Sequence, residues 1–263
     1  MMNLVEMLSE IIAIFNRWNK KLYRQPILIF FNLIQPLVWF LLFTQAFSAI
    51  GDIPSFKLLT GTSSYVTFFT AAVIIQTITS SALSSGLGLV TDFDSGFMDK
   101  MRVAPISKSS ILFGRLFSAA LTTIIQVAII LVIGFALGVT IASGFFGIII
   151  LFILTALFGI AWSGISLFVA LTTKNQETTL SVGLLTTFPL LFLSAAVMPL
   201  GLLPDWVQQV AKVNPFTYVA QAFQSLIING FVWDKIEYAL ISILIVGVLS
   251  LGASIMVFRK KIS

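Results

Sequence analysis

Charged side chains able to grip another molecule are concentrated in one stretch. The run Thr91–Leu116, TDFDSGFMDKMRVAPISKSSILFGRL, holds three of the ten acids (Asp92, Asp94, Asp99) and four of the fifteen basic residues (Lys100, Arg102, Lys108, Arg115). Gly96 and Pro105 punctuate it, and long apolar segments flank it. The chemistry open to such an island is ion pairing and charge-assisted hydrogen bonding with a partner. Bond-making chemistry is poorly provided for. The chain has no cysteine and no histidine, which removes thiolate nucleophiles, imidazole bases and the commonest zinc and haem ligands. Asp92 and Asp94 are two residues apart, so on a helix they point in different directions and form no acid/base dyad. Gly86-Leu87-Gly88 lacks the third glycine of a dinucleotide fingerprint and lies in an apolar segment. A non-catalytic chain with no cofactor of its own is the expectation.

The elements that must position this island are read from composition. Of 263 residues, 58% are hydrophobic and 10% charged, against about 25% charged in a soluble domain. Such a chain cannot cover itself with water-compatible groups and belongs in a bilayer. The predicted fold is all-α and integral to the membrane, one transmembrane domain over residues 1–263. Six apolar segments are long enough to span: Pro26–Ile50, Tyr65–Val90, Ser110–Thr140, Phe145–Leu171, Thr178–Leu200 and Ile236–Phe258. With both termini inside, twelve of the fifteen Lys and Arg face the cytoplasm; only Lys57, Lys212 and Lys235 lie outside. The net charge of +5 is thus read as a topology signal facing anionic lipid, not as a nucleic-acid site. The charged island, residues 91–109, becomes a cytoplasmic loop with a short helix of its own.

Residues 1–25 place Leu4, Leu8, Ile11, Ile12, Phe15 and Trp18 at helical spacing, with polar residues between. This predicts an amphipathic helix lying in the interface. Residues 199–230 are apolar but broken by Pro199, Pro204 and Pro215. Proline frees backbone carbonyls, and at membrane depth these need partners away from lipid. The expectation is a re-entrant outer hairpin: span five ends near Met198–Pro199, a short helix carries Trp206, and Asn214–Pro215 turns into an apolar helix. Contact with a second copy would satisfy the carbonyls, with Ser194, Ala195 and Ala196 permitting close approach. Inside the spans, Gln35, Gln76 and Gln126 are polar and Phe43 belongs to an aromatic-rich span; these four are the candidate substrate path. Apart from Glu237 at the very start of the last span, no Asp, Glu, Lys or Arg except Arg115 falls within a span, which argues against an ion-coupled carrier.

Gly96–Arg115 resembles the cytoplasmic loop of ABC-2 type permeases, especially the daunorubicin-resistance-like exporters, through Gly96, Arg102, Pro105, Ile106, Ser107, Lys108, Gly114 and Arg115. The outer segment is similar as well, through Ser194, Pro199, Pro204, Asp205, Trp206, Asn214, Pro215, Phe216, Thr217 and Tyr218. Asp99-Lys100-Met101, and Gln221–Gln224 after the Asn-Pro turn, depart from other branches. The resemblance implies a permease dimer bound to a separate ABC ATPase in a 2+2 assembly, with ATP and Mg on that partner. It makes Asp94, Gly96, Asp99, Lys100, Arg102 and Pro105 the ATPase-coupling residues. Pro199, Pro204, Trp206, Asn214 and Pro215 would form an outer gate. The cargo would be an amphiphilic drug, a lipid or a lipid-linked glycan, exported across a prokaryotic plasma membrane. A secondary carrier or channel without an ATPase, and a structural anchor subunit, are the alternatives from other classes.

Overall fold

The computed structural model describes residues 4–24, 26–103 and 106–262. Among them the fold is helical, without strands: α1 Leu4–Tyr23, α2 Pro26–Ala46, α3 Pro54–Thr60, α4 Tyr65–Asp94, α5 Phe97–Val103, α6 Lys108–Ala136, α7 Gly144–Thr173, α8 Gln176–Phe192, α9 Asp205–Ala211, α10 Pro215–Gln224 and α11 Trp233–Ile262. Helix starts follow local chemistry. Ser64, Ser107, Asn175 and Asn214 stand just before α4, α6, α8 and α10, and each side chain accepts a backbone N–H from the first turn.

Four helices, α4, α6, α7 and α11, are long and apolar enough to cross a membrane. α2 and α8 occupy the positions of the expected first and fifth spans but have 21 and 17 residues. α8 stops at Phe192, short of the expected Leu200, and Pro199 lies in extended backbone beyond it. Pro189 sits in its last turn, where it withholds a backbone donor. Pro36 is likewise inside α2, which continues through it.

α4 is the hub. It touches α2, α6, α7, α8 and α10 and is buried along most of its length. Its hydroxyls are made compatible with that burial by bonding back along their own helix, as Thr70 does to the Val66 carbonyl and Thr77 to that of Val73, both at 2.8 Å. Other hydroxyls join neighbours. Thr123 on α6 donates to Ser81 on α4 at 2.8 Å. Ser250 and Ser254 on α11 donate to the Ala161 and Gly164 carbonyls of α7, each at 2.6 Å. Within a bilayer such bonds supplement close packing as the glue between helices.

The apolar interior has two parts. A large core surrounds α4 and takes in Phe158, Phe216 and Phe223. A smaller one lies at one end of the bundle, where Ile14 of α1, Leu89 of α4, Met98 of α5, Leu112 of α6, Leu171 of α7 and Phe258 of α11 meet. The elements carrying twelve of the fifteen basic residues converge on this small core: α1, the α4–α6 connection, the α7–α8 turn and the end of α11. We call it the basic end. Cysteines at Lys20 and Lys174 are therefore expected to react with an impermeant reagent from one face of the membrane, and a cysteine at Asp52 from the other. Labelling of Lys20 and Lys174 from opposite faces would contradict this arrangement.

Candidate functional site

The charged island is built around a buried ion pair. Asp92, 2% exposed, is near the end of α4; Arg115, 6% exposed, is two turns into α6. Arg115 Nη1 donates to Asp92 Oδ2 at 2.7 Å. Its Nε donates to the Ser85 carbonyl at 3.1 Å, and Nη2 binds the same oxygen. The planar guanidinium thus clamps a carboxylate and a helix carbonyl together. Room for it is made by Gly88, where an added Cβ would lie 2.6 Å from Nη2.

α1 covers this pair. The Trp18 ring stacks on the Arg115 guanidinium, with 4.2 Å between its centroid and Cζ, and Arg17 lies 5.0 Å from the same ring. Arg17 also sits 3.4 Å above the Phe97 ring at the start of α5. Burial lowers the Arg17 pKa and the nearby Asp92 charge opposes that shift. Glu10 accepts the Ser107 backbone N–H at 3.1 Å, adding negative charge at the N-terminus of α6. Ser118 donates to Asn19 Oδ1 at 2.8 Å. Gly114 lets α1 cross: a Cβ there would meet Ile14 at 2.7 Å and the Ile11 carbonyl at 3.0 Å. The expected amphipathic helix is therefore present; Ile11 and Ile14 of its apolar face are buried where it packs on this chain's own α6, while Leu8 and Ile12 stay exposed.

α5 is the short helix expected in the loop. Gly96 turns the chain into it with φ of 66°, a conformation that favours glycine. Met98 points into the small core while Lys100 is exposed. Asp94 is exposed as well, 3.4 Å from the Gln176 amide. Asp99 and Arg102 belong to α5, and Pro105 lies outside the described residues. Asp92 and Arg115 carry the local architecture and were not among the expected coupling residues. The signal is present in the sequence, because Arg115 is the one basic residue inside an expected span, and such a charge needs a partner.

At the opposite end the unwound segment after α8 is held by side chains of the same subunit. Asn214 Nδ2 donates to the Leu190 and Leu193 carbonyls at 2.7 and 2.8 Å, while its Oδ1 caps α10. Gln224 donates to the Ala195 carbonyl at 2.9 Å, and the Tyr65 hydroxyl to that of Val197 at 3.1 Å. This corrects the expectation that a second copy supplies these partners. Ser194, Ala195 and Ala196 are buried within the chain and offer no free face for a dimer contact. Pro215 opens α10, whose Phe216, Val219 and Phe223 are fully buried. Pro204 precedes α9, and Trp206 on α9 is 62% exposed.

The four candidate path residues divide. Gln76 and Gln126 are 4% and 1% exposed, so they are sealed inside the bundle and line no open surface. Gln35 is exposed on α2, and Trp39 and Phe43 follow it at four-residue spacing. Trp39 meets Phe43, Phe192 and Phe188 with centroids 4.6, 5.8 and 6.0 Å apart, so α2 and α8 share an aromatic seam.

Residues 9–228, which contain the island and nearly all of the outer segment, match the family described as ABC-2 type transporter. The chain belongs to the ABC-2 type transporter family. This ABC-2 chain is 30% identical over 220 residues to ycf38 of Cyanophora paradoxa, named as a candidate transport permease, covering 83% of this chain and 74% of that one. It is 30% identical over 226 residues to ycf38 of Porphyra purpurea, covering 85% and 76%. It is 26% identical over 212 residues to the daunorubicin resistance ABC transporter permease protein DrrB1 of Streptomyces coeruleorubidus, covering 80% and 72%.

Two outcomes follow from this geometry. Arg115→Gln removes the short ion pair to buried Asp92 and is expected to destabilise the purified ABC-2 chain by about 3–5 kcal/mol. Lys100→Gln on the exposed side should stay within ~0.5 kcal/mol; thermal unfolding in detergent ranks the two. Asn214→Ala removes the donor for two carbonyls, an effect of about 1–3 kcal/mol. Asn214→Asp keeps the cap but loses that donor, so both variants should raise amide exchange over residues 193–199.

Proposed function

We propose that this ABC-2 family chain is the membrane-spanning permease subunit of an ATP-driven exporter, with hydrolysis on a separate ABC ATPase that holds ATP and Mg. In this reading α2, α4, α6, α7, α8 and α11 form six spans. The basic end faces the cytoplasm of a prokaryotic cell, with both termini there. Two permeases pair with two ATPases, and α9 and α10 form a re-entrant cap on the outer side.

The observation that carries this reading is the division of α5 into two sides. Met98 fixes it to the bundle, while Lys100 and the neighbouring Asp94 remain open to a partner. An ATPase gripping Asp94, Asp99, Lys100 and Arg102 would move α5 as ATP closes its dimer. The Arg115 clamp gives that movement a rigid route, because α4 and α6 are joined directly behind α5 and α1 is stacked on the joint. Charge-assisted bonds of fixed geometry transmit direction better than sliding apolar contacts.

The stripe Gln35, Trp39 and Phe43, with Phe188 and Phe192, is the proposed cargo face. It offers aromatic surface and a single amide, which suits an amphiphile: a drug, a lipid or a lipid-linked glycan. The daunorubicin-resistance relative favours the drug. The reading is tested by reversing both charges, Asp99→Lys with Lys100→Glu. The variant is expected to insert and fold normally, since Lys100 is exposed and the exchange leaves the net charge unchanged, yet to co-purify poorly with the ATPase or to hydrolyse ATP without export. Normal co-purification together with full export would remove this loop from coupling.

A further inference from the structure

A groove of about 450 Å³ runs between α1 and α6 on the side away from the ion pair. Its walls are Leu8, Ile12 and Phe15 from α1 and Phe117, Leu121 and Ile124 from α6, with Ala120 on its floor. Leu8, Ile12, Phe117 and Leu121 are exposed to it or to its mouth. None of these side chains carries a polar atom, so water gains no hydrogen bond there. Among the described residues the groove is open on one side. The angle between α1 and α6 is set on the other side by Glu10 on the Ser107 N–H, Ile14 against Gly114, Trp18 on Arg115 and Asn19 on Ser118. Those contacts fix α1 on α6 beside the groove.

The groove is continuous with a row of exposed apolar residues along α6: Phe117, Leu121, Ile125, Ile129, Val132 and Phe135. At 1.5 Å per residue this row is about 27 Å long, close to the ~30 Å hydrocarbon thickness of a bilayer. It has the length of a lipid-facing surface, and the groove is its end at the level of the amphipathic helix. A helix of that kind lies at the boundary between headgroups and acyl chains.

We propose that the α1–α6 groove is a binding site for one acyl chain of a bilayer phospholipid, which fills the wedge and is retained there when the surrounding bilayer is removed. The stabilisation comes from dispersion contact in a space that would otherwise have no partner atoms on one side. The inference rests on α6 being a membrane span and is independent of ATPase coupling, so either can fail without the other.

The test uses the full chain in vesicles of phosphatidylethanolamine and phosphatidylglycerol, the latter carrying a photoreactive group in one acyl chain. The protein is re-extracted in mild detergent, passed through gel filtration to strip loose lipid, illuminated, and its labelled peptides mapped. Label is expected within residues 8–15 and 117–124. It should be lost in Ala120→Trp, which fills the floor, and reduced in Ile12→Ser, which places a hydroxyl on the wall without adding bulk. Ile129→Trp, on the same row outside the groove, should label as the parent does. Circular dichroism and elution volume identify any variant that has not folded, and Ile12→Ser carries the test if Ala120→Trp has not. The proposal is overturned if no label survives gel filtration, if label maps elsewhere, or if folded groove variants label as the parent does. It is also overturned if Phe15→Cys forms a disulfide between two copies, which would put a second chain in the groove.

Discussion

A charge pair sealed away from water at one end of an apolar bundle constrains everything near it. Arg115 and Asp92 cannot be separated without leaving an uncompensated ion in a poorly solvating environment, which is far more costly than losing an exposed pair. α4 and α6 must therefore approach closely at this level. Gly88 is where the guanidinium fits, and the Ser85 carbonyl accepts two more of its N–H groups. α1 then follows, since an amphipathic helix with Trp18 on one face can cover the cation and Gly114 allows it near enough. α5 rests on what these three helices build.

The opposite end obeys the same rule through neutral groups. Where α8 unwinds, four carbonyls in apolar surroundings require donors, and Asn214 and Gln224 at the two ends of α10 and Tyr65 at the start of α4 provide them. The outer segment is consequently packed into its own bundle, with α10 against α4 and α11. Between the two ends α4 runs as an enclosed column, and its own glutamine, Gln76, is sealed along with Gln126 of α6.

Local features were legible in the sequence and long-range ones were not. The short helix in the charged island, the amphipathic start and the helices at all six apolar segments are encoded by composition, periodicity and Gly or Pro placement, which act over a few residues. The expected short helix with Trp206 and the apolar helix after Asn214 are present as α9 and α10 because Asp205, Asn214 and Pro215 are local start signals. The end of α8 was missed by eight residues because it is set by Asn214, more than twenty residues later in the chain. The partner of Arg115 is 23 residues away, and the helix that covers it lies almost a hundred residues upstream. Polarity alone also put Gln76 and Gln126 on a path, whereas only the packing shows which side of a helix is enclosed.

The central claim is that Arg115 holds α1, α4, α5 and α6 as one unit at the basic end. Hydrogen exchange on the purified chain, comparing the parent with Arg115→Gln, addresses it directly. The account predicts that amides of α1, of α5 and of the last turns of α4 lose protection together, while α7, α10 and α11 keep theirs. Loss confined to α6 around residue 115, with α1 and α5 unchanged, would contradict it.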